Sequence, residues 1–105
     1  MSSETLVPVC AALGDETRWR ILGALGEGDA SASALAGRLP VTRQAIAKHL
    51  AVLQEVGLVE PVRRGREVQY RVIGSQLSAT AQRLDAIGAE WDRRLRAIKQ
   101  IAEGL

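Results

Sequence analysis

Three side chains on one short stretch, Arg43, Gln44 and Lys48, have the chemistry and spacing to read a nucleic acid. An arginine fork can donate two hydrogen bonds to a guanine edge, and a glutamine amide can bond the N6 and N7 edge of adenine. Lysine supplies a point charge for a phosphate or a base. Thr42 and Ser33 offer hydroxyls and helix-terminal amides suited to phosphates. A second basic group, Arg63, Arg64 and Arg66 around Gly65, can follow a backbone or enter a narrow minor groove. Such a face is also what a solvated helix carries, so the neighbouring elements decide the reading.

The stretch 42–60 reads TRQAIAKHLAVLQEVGLVE. Ile46, Leu50 and Leu53 recur at helical spacing, Thr42 is an N-cap type and Gly57 a stop, which predicts an amphipathic helix over 42–57. At about 100° per residue, Gln44, Lys48, Ala51 and Glu55 fall opposite the apolar stripe. That slender polar face fits a major groove about 12 Å wide.

The elements before it are short. Residues 5–13 carry Leu6, Val9, Cys10 and Leu13 at helical spacing, with Pro8 placed near a first turn. Gly14 breaks that helix, and Asp15 caps a second one whose core stripe is Trp19, Leu22 and Leu25, or Ile21 and Leu25. Residues 27–30 read as a loop. Ser31 or Ser33 caps a third helix that turns Leu35 and Leu39 inward and ends at Pro40, so a very tight turn joins it to the helix at 42.

After Gly57 the period changes. Residues 58–62 and 67–73 are β-rich runs about a glycine turn, a hairpin wing over about 58–73 with a basic tip. Pro61 belongs on an edge. From 75 to 102, Leu77, Ala81, Leu84, Gly88, Trp91, Leu95, Ile98 and Ala102 alternate steps of four and three, and Ile87 and Ile101 widen the stripe. Such a helix would run about 42 Å, more than one small globule covers, so a second subunit is the simplest way to bury it.

The chain's 105 residues suit one domain, 1–105. Its net charge is only +2, but residues 31–74 hold seven basic side chains against three acidic ones, so positive potential gathers at the candidate helix and wing. Met1-Ser2-Ser3-Glu4 has no basic leader, and no apolar run approaches about 18 residues, so a cytoplasmic protein without a membrane partner is expected. Cys10 cannot form an intramolecular disulfide and is read as a small buried hydrophobe. His49, beside the groove-facing side of its helix, is read as packing locally or bonding a phosphate. No nucleophile with a base, no phosphate-binding glycine loop and no cofactor motif is present, so an enzyme is not expected.

The runs ALGDETRWRILGAL and TRQAIAKHLAVLQEVGLVEPVRRGREVQYRV, and the tail around Trp91-Asp92-Arg93-Arg94-Leu95, resemble the ArsR (ArsR/SmtB) family of bacterial transcriptional repressors. The resemblance implies a winged helix-turn-helix: mainly α, five helices plus a two-stranded wing. It implies a cytoplasmic homodimer, joined through the first and last helices, that binds operator DNA. Thr42, Arg43, Gln44, Ala47 and Lys48 fall where family members meet the major groove, and Arg64 and Arg66 at the wing. The interface would take Leu6, Val9 and Cys10 from the first helix and Leu84, Ile87, Trp91, Leu95 and Ile98 from the last.

Metal-sensing members carry paired cysteines before the reading helix, or histidines and acids on the last helix. Here residues 31–36 contain no cysteine and the last helix no histidine, so no metal site is expected and an inducer, if there is one, is unidentified. Two alternatives remain open: a winged-helix protein-interaction module, or a sensor with an unrecognised metal, redox or small-molecule site.

Overall fold

A computed structural model describes residues 3–104, with side chains from residue 5. The order is α1 (Ser3–Leu13), α2 (Glu16–Glu27), β1 (Ala30–Ser31), α3 (Ala32–Arg38), α4 (Arg43–Glu55), β2 (Val59–Arg64), β3 (Glu67–Val72) and α5 (Gly74–Glu103). The five helices and the hairpin are as expected. The sheet has a third strand: β1, placed in the sequence within a loop, pairs antiparallel with β3, giving the order β1-β3-β2.

Local chemistry sets each boundary. Asp15, Ser31 and Thr42 are extended N-caps whose side chains accept from the backbone N–H groups of Arg18, Ala34 and Ala45. Gly57, at φ +78, ends α4 in a Schellman arrangement, with Gly57 N–H bonding Gln54 O at 3.0 Å and Leu58 N–H bonding Leu53 O at 2.9 Å. The helix therefore spans Arg43–Glu55, slightly less than 42–57. Gly65, at φ +66, opens the two-residue Gly65-Arg66 turn between the paired Arg64 and Glu67. A positive φ at the first turn residue alone is the type II′ pattern, which suits strand twist. Pro61 lies on β2, an edge strand, where its missing donor costs no ladder bond. Pro8 lies inside α1 rather than in its first turn.

The core forms where α1, α2, α3, α4 and the sheet meet, around Val9, Ile21, Leu35, Ile46, Leu50, Leu53, Leu58 and Val59. At about 25 cal/mol per Å2 of apolar surface removed from water, these aliphatic side chains contribute about 1.5–3 kcal/mol each. Of the two stripes open to α2, the packing uses Ile21, Leu22 and Leu25, and Trp19 is 60% exposed. Two further expectations change at α1. Val9 and Leu6 are buried inside the protomer and so unavailable to a partner, whereas Cys10 is exposed rather than a core residue. The open face of α1 is instead Val7, Cys10 and Ala11.

The start of α5 is tied down by Ile73 N–H on Leu58 O at 2.8 Å and by Gln76 Nε2 on Val56 O at 3.3 Å. Thr80, buried, donates to Gln76 O at 2.8 Å. Beyond it the helix leaves the globule. Leu84, Trp91, Leu95, Ile98 and Ile101 are exposed and Ile87 is half-buried, and the whole measures 69 × 26 × 23 Å. No described helix is long and apolar enough to cross a membrane.

Candidate nucleic-acid interface

α3 and α4 are joined through residues 39–42, where Leu39 N–H bonds Leu35 O and Val41 N–H bonds Leu39 O at 2.8 Å. This connection is too short to let the helices separate, and burial of Leu35, Ile46 and Leu50 fixes their faces. The N-terminal turns of α3 and α4 and the inner side of the wing then enclose one open groove of about 680 Å3. Ser33, Arg43, Gln44, Ala47 and Arg66 all line it, so five of the nine candidate DNA contacts come together from three elements.

The other four lie around it. Thr42 lines a separate shallow depression with Pro40 and Ala45, and its Oγ1 accepts from Ala45 N–H at 3.1 Å. Lys48 is exposed one turn beyond Gln44 on α4. Arg63 is exposed on β2, opposite Val68 in register. Arg64 is turned aside, with its Nη2 donating to Asp29 Oδ2 at 3.1 Å.

That ion pair is one of a set. Arg20, Arg38, Arg64 and Arg71 each hold a carboxylate within 3.1 Å, all at exposed positions where a pair contributes about 0–1 kcal/mol. Among the described residues, Arg43, Lys48, Arg63 and Arg66 have no carboxylate this close, and neither do Arg83, Arg93 and Arg96 on α5. Of these, Arg43 and Arg66 line the groove, Lys48 follows one turn further on α4 and Arg63 stands opposite Val68 on the wing, so positive potential gathers on this side.

Five groove residues were not among the candidate contacts: Ser31, Ala32, Glu67, Val68 and Tyr70. For Val68 and Tyr70 the alternation of β3 carried the signal, since they share one face at period two, whereas Glu67 at the strand's first position has no such cue. Tyr70 packs its ring against the core while lining the groove. Glu67 places a carboxylate in an otherwise cationic cleft.

His49 is outside the groove. Its Nδ1 lies 3.3 Å from Arg18 Nη1 and 4.0 Å from Asp15 Oδ1, the local contact that was one of the two expectations for it. The backbone N–H of Arg18 holds the Asp15 carboxyl below its ordinary 3.8; burial opposes this, while the Arg18 guanidinium, His49 and the Thr17 N–H assist. Among the described residues, no three His, Cys, Asp or Glu side chains converge.

A helix-turn-helix domain model matches residues 13–62. An ArsR-like transcriptional regulator from Rhodococcus sp. RHA1 is 65% identical, with 94% of this chain and 93% of that one covered and a TM-score of 0.88. The chain belongs to the ArsR family of transcriptional regulators. Within the ArsR family it is also similar to the HTH-type transcriptional regulator CmtR of Mycobacterium tuberculosis, at 38% identity over 78 residues. That match takes in 74% of this chain and 66% of CmtR. A homodimeric winged helix-turn-helix DNA-binding domain of a possible ArsR-family regulator from Mycobacterium bovis is 26% identical, with 88% and 82% of the two chains covered and a TM-score of 0.66. The ArsR resemblance and the winged helix-turn-helix fold expected from the sequence are thus borne out, the extra strand aside.

Proposed function

We propose that the chain is a non-enzymatic, cytoplasmic, dimeric repressor that binds an inverted-repeat operator. The observation that carries this reading is the convergence of Ser33, Arg43, Gln44, Ala47 and Arg66 on one groove, with unneutralised cations around it. Arg43 and Gln44 choose bases from the first turn of α4, and Lys48 anchors that helix. Arg63 and Arg66 hold the flanking backbone. The exposed stripe of α5 and the open face of α1 support the homodimer, and reading helices on a two-fold axis require half-site centres about 34–36 Å apart.

Selection from random duplexes tests this directly. A palindromic consensus is expected; recovery with no sequence preference overturns it. Arg43→Ala should cost about 1–3 kcal/mol on the selected duplex and relax preference at one base step, measured by titration against single-step variants.

A further inference from the structure

We propose that Arg18 is a positioning residue, setting the reading helix α4 against α1 through His49; this rests on the groove being the DNA interface. The Arg18 guanidinium spans two elements. Its Nε donates to Ala12 O at 2.6 Å and its Nη2 to Ala11 O at 3.5 Å, capturing carbonyls in the last turn of α1, where helix geometry leaves acceptors without intrahelical donors. Its Nη1 lies 3.3 Å from Nδ1 of His49, which stands beside Lys48 on α4. Since arginine can only donate, this contact is a hydrogen bond in the neutral ring form that carries its proton on Nε2.

The strut is itself held at its base. Asp15 Oδ1 accepts from the Arg18 backbone N–H at 3.0 Å and lies 4.0 Å from His49 Nδ1, so the cap of α2, the end of α1 and the flank of α4 meet at one point. His49 is only 22% exposed and is not among the groove residues, so its place is behind the helix that carries Arg43 and Gln44. A small rotation of α4 about its axis would swing both readers at its first turn away from the bases. Arg18 opposes that rotation. It also makes the attitude of α4 depend on α1, whose open face adjoins the proposed partner.

The test compares His49→Leu, His49→Asn and wild type on a selected and a scrambled duplex. Asparagine keeps an acceptor near the place of Nδ1; leucine does not. His49→Leu should lower affinity for the selected duplex about tenfold, the equivalent of about one good base contact. Affinity for the scrambled duplex and the salt slope should stay unchanged, because no phosphate contact is lost. His49→Asn should restore most of the preference. Equal preference in all three proteins, no rescue by asparagine, or a parallel loss on both duplexes would each overturn the proposal. A urea double-mutant cycle on Arg18→Gln and His49→Leu separates the outcomes. If wild type selects no sequence, the DNA reading and the positioning role both fall, and coupling in the cycle then marks the contact as structural alone; additivity would remove the strut itself.

Discussion

α4 and α5 carry the same sequence signal and meet opposite fates. In α4, Ile46, Leu50 and Leu53 are at most 1% exposed, whereas in α5 Leu84, Trp91, Leu95 and Ile98 are 49–62% exposed. The difference teaches that periodicity reports a face to be covered but not what covers it. In α4 the cover is the chain's own α2, α3 and β2. In α5 the chain's own packing reaches Leu77 and Thr80 and half-buries Ile87, and the rest of the stripe is the face that the proposed dimer would cover.

Breaking the first stripe should have the larger effect. Leu53→Ala should cost about 2–5 kcal/mol in urea unfolding, since the site is closed on all sides and cannot relax fully into the cavity. Breaking the second should change assembly instead. Leu95→Glu should give a monomer by sedimentation, with folded secondary structure retained; an intact dimer would put the interface elsewhere.

The cations divide in the same way, and so sharpen the comparison. Arg66→Ala should reduce the salt slope of DNA binding by about 0.9, the share of one phosphate contact. Arg64→Ala should reduce it less, since Asp29 already holds that guanidinium at 3.1 Å. The smallest effect concerns Asp15. Its folded-state pKa lies below the ordinary 3.8, so its contribution is fully present above that value and is lost as pH falls through the lower, folded value. Asp15→Asn should therefore lower stability slightly at neutral pH, where that contribution is present, and flatten the acid limb so that the two proteins converge as pH falls, as followed by thermal unfolding from neutral to acid pH.

What could be read in advance follows from the range of the interactions. Ile46, Leu50, Leu53, the Thr42 cap and the Gly57 stop are local signals, and each is where the sequence placed it. Trp19 was ambiguous because steps of three and four allowed two stripes on α2, and only the packed neighbours choose Ile21 and Leu22. β1 has two residues, too few for a period. The Arg64–Asp29 pair joins positions 35 apart, and nothing local announces it. Leu6 and Val9 were placed on the right kind of face, but it packs within the protomer.

Ser31 holds two offices at once. It is the last residue of β1, in register with Gln69 on the wing, and it is the N-cap of α3, accepting from Ala34 N–H at 3.1 Å. The wing and the helix pair are therefore jaws of one caliper, joined at a residue that belongs to both. For the DNA interface proposed above, such a link would make a duplex's groove width and curvature part of what is gauged, along with the bases proposed for Arg43 and Gln44.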